Sequence, residues 1–377
     1  MRIEQRGIVY DATGQPDSRR IAFFTALCAL RSGSILCAFQ VGSGKHSADS
    51  TLAVCRSADR GATWAALAHE FETTLDGVPG HLSGPSLVEV APGRLLLFCT
   101  WFDRSERDRP LFDPVTEGIL HSRQLFAVST DDGASWGPWG VLPTGELTGC
   151  ATTGPAVLWS DGTLAYPFES FKEYDDPRPG RHGAWVLVSR DGGRSFGPPV
   201  QIAQHPRHEI YYWDQRLCAG TAPGEFIALF WTHHLGEKQD LPVHLGRGNW
   251  NGSRSEVRST GIPGQIAAPL FFADGRLLAF VVDRSRPGTM TLWTSPDRGD
   301  TWPEQNRLIV HKHDEQAARA QKGAKIDFAE YWEDMGKWSF GHPAILPLSA
   351  EQVLLAFYAG TPERMSIHWA RVNVGRG

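Results

Sequence analysis

The chain lacks long apolar runs, clustered cysteines, an excess of positive charge and sustained helical periodicity, and each absence removes a class of protein. No apolar stretch approaches the ~20 residues that a bilayer-spanning helix needs, so no membrane-spanning helix and no membrane partner is expected. Lysine and arginine number 37 against 42 aspartates and glutamates, a net charge of −5, which argues against a nucleic-acid partner. Six cysteines, Cys28, Cys37, Cys55, Cys99, Cys150 and Cys218, stand singly in apolar sequence with no CxxC pair. They are expected as buried thiols, which favour a reducing compartment. Residues 1–7 also lack the apolar core of a secretory signal, so the expected location is the cytoplasm. His233-His234 and His311-Lys312-His313 have neither HExxH nor Cys/His zinc spacing, and adjacent strand residues point to opposite faces; no metal or other cofactor is predicted. Amphipathic helix is confined to two short candidates, residues 315–321 and 328–335.

Turns are what the chain has in abundance. Forty glycines and 25 prolines punctuate short apolar runs, and 14 tryptophans can plug the gaps between packed sheets. One eight-residue box recurs four times, first as Ser57-Ala58-Asp59-Arg60-Gly61-Ala62-Thr63-Trp64 and again from Ser129, Ser189 and Ser295. Its Asp and Ser can bond the amides of a tight turn, its Gly supplies a positive φ, and its aromatic opens the next strand, so each box reads as a hairpin tip. The gap between the last two boxes is the longest, and Gly248-Asn249-Trp250-Asn251-Gly252 stands where another would fall. Shorter turns at Ser32-Gly33, Pro92-Gly93, Asp161-Gly162, Pro223-Gly224, Asp274-Gly275 and Glu351-Gln352 each separate two apolar runs. An inner hairpin followed by an outer one makes about four strands per repeat. The predicted fold is all-β: one domain over residues 1–377, a six-bladed β-propeller closed by an N-terminal strand around residues 7–10.

In such a ring the innermost strand of each blade begins at one mouth of the central channel. Counting back from the inner turns reaches Arg20, His81, Thr153, Asp214, Gln265 and His342, one polar residue per blade, and these are expected to surround one axial pocket. Loops leaving the inner hairpins should open onto the same mouth. They carry Lys45, His46 and Asp49, then Trp101, Asp103 and Arg104, then Glu169 and Lys172, Trp231, His233 and His234, Asp283, Arg284 and Arg286, and residues 358–364. Arginines for a planar anion, carboxylates for proton transfer and aromatic faces for sugar rings make a carbohydrate inventory.

On these residues the chain resembles the sialidase superfamily. The four boxes at blade spacing match that family's bacterial neuraminidase repeats, or Asp boxes, and the resemblance covers nearly the whole chain. It implies an exo-glycosidase acting on a terminal carboxylate-bearing sugar, sialic or uronic acid, with a glycan or small sugar acid as partner. In the family an arginine triad grips the carboxylate, an aspartate in a blade-one loop is the acid/base, and a tyrosine paired with a glutamate is the nucleophile. Arg20, in Arg19-Arg20-Ile21-Ala22, resembles the first arginine, and Arg286, with Arg284 beside it, resembles the arginine before the fifth blade's box. Nothing stands for the remaining arginine, because that part of blade four reads Phe230-Trp231-Thr232-His233-His234. Asp49 resembles the acid/base. His342 heads the last inner strand where the family has its tyrosine, and Asp214 heads the fourth where it has its glutamate. Trp213 and Trp231 are the expected sugar platforms, and Gln265 and His81 complete the substrate-binding set.

A His342–Asp214 pair would work differently from Tyr–Glu. An aspartate bonded to one ring nitrogen raises the basicity of the other, which gives a general base near neutral pH. Such a base could activate water, with Asp49 as the acid, or remove the C5 proton of a uronic acid and drive β-elimination. Three readings follow: a sialidase-like exo-glycosidase, a uronic-acid lyase or hydrolase, and a propeller that binds glycan without turnover.

Overall fold

The computed structural model describes residues 1–152, 154–250, 256–285, 287–313, 331 and 334–375. Strand is the dominant regular structure of the described chain, because its apolar runs are short and bounded by Gly, Pro and Asp. Strands such as Arg94–Asp103 and Glu225–His234 are buried along nearly their whole length, so they read as continuous apolar sequence rather than alternation.

Hydrogen bonding divides the strands into antiparallel runs. Three sheets have four strands each, over residues 80–141, 210–259 and 267–312, and a fourth, over residues 151–203, has five because its first strand is broken into Ala151–Thr152 and Val157–Leu158. The remaining eight-stranded sheet joins a run over residues 21–66 to a run over residues 340–373 through one parallel bridge, Ile21 to Met365. Its eighth strand, Arg2–Tyr10, pairs antiparallel with Arg364–Asn373 and is longer than the residues 7–10 expected. First strands of successive runs pack against one another, and Ile21–Ala29 packs against both Gly80–Ala91 and Phe340–Ser349.

All four boxes fold alike. In the first, Ser57 Oγ accepts the Gly61 amide (2.8 Å), Asp59 Oδ1 accepts the amides of Ala62 (3.0 Å) and Thr63 (2.8 Å), and Asp59 Oδ2 accepts the Thr63 hydroxyl (2.6 Å). Ser129, Ser189 and Ser295 repeat the serine bond to Gly133, Gly193 and Gly299. Each box glycine lies against a leucine of the neighbouring run: Gly61 on Leu354, Gly133 on Leu36, Gly193 on Leu96 and Gly299 on Leu245. The boxes therefore fasten runs together as well as turning the chain. Where the fourth run has no box, Asn249 Nδ2 donates to Pro223 O and Trp250 packs on Phe226 and Trp159; residues 251–255 lie outside the described set.

A second feature repeats from run to run. The first strands of four runs skip register at their midpoint, between Phe23 and Ala26, Ser83 and Ser86, Trp213 and Arg216, and Gly341 and Ala344. The first skipped residue in each has positive φ: Phe24 (56°), Gly84 (62°), Asp214 (47°) and His342 (52°). Such bulges re-aim a side chain out of the ladder. All six cysteines are buried and unpaired. Among the described residues no helix is long and apolar enough to cross a membrane. Candidate helix 315–321 lies outside the described residues; of 328–335, Tyr331, Asp334 and Met335 are described, and all three are helical.

Candidate functional site

The bulges converge on a cavity of about 150 Å³. Asp214 and His342 reach it from their bulges, Glu169 from the second strand of the third run, Arg284 from the end of Leu277–Asp283, Lys45 and His46 from the loop after Ile35–Gly42, and Tyr358 from Gln352–Thr361. Phe24, Phe102, Phe112 and Ile119 form an apolar wall, and Tyr331, Met335 and Trp338 another.

Two carboxylates share the polar end. Burial pushes Asp214 up to about 7, with the negative charge of Glu169 adding to the rise while Arg216 and Arg284 pull against it. Glu169 is held from both sides: Oε1 accepts the Gln215 amide (3.3 Å), and Oε2 lies 3.2 Å from His182 Nε2. That last contact is a close approach rather than a well-aligned hydrogen bond. Beneath them Arg216 is completely buried, donating from Nη1 to Pro343 O (2.7 Å) and from Nη2 to His342 Nε2 (2.8 Å). The imidazole is thus partnered by a guanidinium and not by Asp214. Burial, Arg216 and Arg284 hold its pKa well below the ordinary histidine range.

The cationic side centres on Arg284, which is 3 % exposed. Its guanidinium lies 4.1 Å from the Trp338 ring and 5.8 Å from the Trp231 ring, while Nε and Nη1 have no hydrogen-bond partner among the described residues. Gly341 makes room, since a Cβ there would sit 2.8 Å from Arg284 Nη2 and 3.3 Å from the Tyr358 hydroxyl. Lys45 Nζ bonds that hydroxyl (2.8 Å) and Met335 O (3.2 Å), with its pKa pushed well down by burial and by Arg284. Asp240 braces the sandwich: Oδ1 accepts Trp231 Nε1–H (2.9 Å), the Tyr331 hydroxyl (2.6 Å) and His233 Nδ1–H (3.0 Å), and Oδ2 accepts Gln265 Nε2–H (3.3 Å). Gln265 Oε1 in turn accepts the Arg284 amide (2.9 Å).

Of the residues singled out in the sequence, Trp213, Asp214, Trp231, Arg284 and His342 line the cavity together. Gln265 stands one layer behind, through the bonds just described. Three others are displaced. Arg20 is about one third exposed, with Nε on Ser43 O (3.2 Å) and Nη1 3.5 Å from Asp17. His81 is buried behind the wall, where Nδ1 accepts Arg104 Nε–H (2.8 Å) and the ring stacks on Phe102. The reason is the bulge: the residues matching Asp214 and His342 are Phe24 and Gly84, four and three positions beyond Arg20 and His81. Asp49 turns away from the cavity, its Oδ1 accepting the Ser43 amide (3.2 Å) and hydroxyl (2.9 Å); burial raises its pKa, but bonds from Ser47 and Ser43 outweigh that and hold it low. Thr153 and Arg286 lie outside the described residues. Residues the strand count passed over are Glu169, carried by a second strand, and Tyr331 and Trp338, carried by the long connection before residue 340; only the loop inventory pointed to Glu169. Among the described residues no three His, Cys, Asp or Glu side chains converge as a metal site.

No protein-family model matches the chain, and no curated protein matches it in sequence. Solved structures do. A protein of unknown function from Dyadobacter fermentans matches with a TM-score of 0.70 at 17 % identity, over 99 % of both chains. The Hadza microbial sialidase Hz136 matches with a TM-score of 0.69 at 15 % identity, over 98 % of this chain and 68 % of that one. An α-L-arabinanase from Penicillium chrysogenum, solved with arabinobiose, matches with a TM-score of 0.62 at 13 % identity over 99 % of both. The chain has a sialidase-like fold, one that glycoside hydrolases of differing substrate share; at these identities the likeness speaks to fold alone.

Proposed function

We propose that the chain is a sialidase-like exo-glycosidase that removes a terminal carboxylate-bearing sugar, sialic or uronic acid, from a glycan. The observation that carries the reading is the pairing, in one cavity, of a buried arginine whose Nε and Nη1 have no hydrogen-bond partner among the described residues with a carboxyl group poised near neutrality. Arg284 grips the sugar's carboxylate, with Lys45 Nζ a further donor on the same side. Asp214, still partly protonated at neutral pH, gives its proton to the leaving oxygen, the role the sequence assigned to Asp49. Glu169, the second carboxylate, takes a proton from the water that bonds to the anomeric carbon as the glycosidic C–O bond breaks. Trp213 lines the sugar's path, while Trp231 holds Arg284 in place. The lyase route loses support, because the base it needs has Arg216 rather than a carboxylate at its side.

The four-stranded runs form six blades of a propeller, supported by the succession of first-strand contacts from run to run and by the box of the first run resting on Leu354 of the last. Six buried, unpaired thiols support a reducing, cytoplasmic setting.

The test is turnover of methylumbelliferyl glycosides of N-acetylneuraminic acid, glucuronic acid and arabinofuranose. An acidic sugar should be released, and Asp214→Asn should lower kcat by about 100-fold or more on a sugar leaving group, less on the activated aryl group. Because the proton donor must be protonated, kcat should fall as pH rises through about 7. Release of the neutral sugar alone, or full activity in D214N, would overturn the reading.

A further inference from the structure

Arg216 and His342 meet in a way that fixes the chemistry of the imidazole. A guanidinium has only donors, so at 2.8 Å His342 Nε2 must be the acceptor. A neutral ring whose Nε2 accepts carries its proton on Nδ1. The doubly protonated ring is excluded, since it would set two N–H donors against each other in a pocket that Arg216 and Arg284 already make positive. His342 is 6 % exposed and lines the cavity, yet among the described residues its Nδ1 makes no well-aligned hydrogen bond, the Thr25 carbonyl only approaching the ring, and Nε and Nη1 of Arg284 beside it make none. Gly341, immediately before His342, is what lets Arg284 come so near. Buried donors left unpaired in this way mark a place where an acceptor belongs.

We infer that His342 is a substrate-binding residue that donates its Nδ1–H to one oxygen of the sugar's carboxylate while Arg284 donates to the other, and that Arg216 is a positioning residue that locks the required tautomer. The inference rests on the carboxylate reading of the cavity. A neutral donor suits this place. It grips an oxyanion without adding a third positive charge beside Arg216 and Arg284, and it does not titrate where a free histidine would. The residue at the family's nucleophile position thereby becomes part of the recognition apparatus, with no proton to accept from substrate. Nothing covalent is required of it.

The wild-type protein, labelled with 15N-histidine, provides the test. The His342 ring, assigned by its loss in H342N, should show the Nδ1–H tautomer unchanged from about pH 5 to 8. Added D-glucuronate or N-acetylneuraminate should shift its proton resonance, and their methyl esters at equal concentration should not. H342N, whose amide can donate from the Nδ1 position, should keep acid affinity within about threefold, whereas H342Q, which reaches the Nε2 position, should lose roughly tenfold. Acid and ester binding equally, or neither binding, overturns the contact and the carboxylate reading with it. An Nε2–H ring, or one that titrates in that window, in a protein that still prefers acid to ester overturns the contact alone.

Discussion

Asp214 and Asp49 are the same side chain with opposite properties, and the difference is local. Asp49 sits among hydroxyl and amide donors that stabilise its anion, while Asp214 sits where burial and Glu169 penalise a negative charge. Its backbone, at φ 47°, is in a region that costs a non-glycine residue energy, and the fold accepts that cost at a position facing the cavity. Gly341 shows the same economy through an absent atom. Gly341→Ala would force Arg284 and the Tyr358 hydroxyl apart from the site. The expected outcome is a rise of about tenfold in KM for a carboxylate-bearing substrate with a smaller change in kcat, measured by steady-state kinetics against the uncharged methyl ester, whose KM should move little.

The elements divide into those legible in the sequence and those not. The boxes were legible because every bond in them lies within five residues, so identity and spacing determine the turn. The six inner turns were legible for the same reason. The bulges were not: they depend on pairing between strands, and a skip of register leaves no mark in composition. Counting along strands therefore reached Asp214 and His342 but stopped short of Phe24 and Gly84, and it passed over Glu169 because it followed first strands only. A box glycine also has a function beyond its turn. Gly193→Ala would place a Cβ 2.2 Å from Leu96 of the neighbouring run, whereas Gly162→Ala, at a similar φ, meets nothing within 4 Å. Gly162→Ala should cost about 1 kcal/mol from backbone strain, and Gly193→Ala about 3 kcal/mol, readable as Cm shifts in urea. Equal losses would show that the box is a turn and nothing more.

At the scale of the molecule, the runs depend on their neighbours. Leu36, Leu96, Leu245 and Leu354 each receive the box of another run, so stability is shared between runs and the cavity that they line together inherits that rigidity. The last contact in the sequence of runs is made by the first residues: Arg2–Tyr10 lies along Arg364–Asn373, with Arg2 opposite Asn373 and Tyr10 opposite Ile367. This antiparallel register has a mechanical consequence. Handles attached at residues 2 and 373 would load the ladder from its open end, one bond pair at a time, as a zipper rather than in shear. In an optical trap the first event should be a low-force release of about 30 Å as the nine residues of the first strand peel away, with the remaining sheets holding to higher force. A single high-force rupture of the whole chain would show that load crosses this seam instead of opening it.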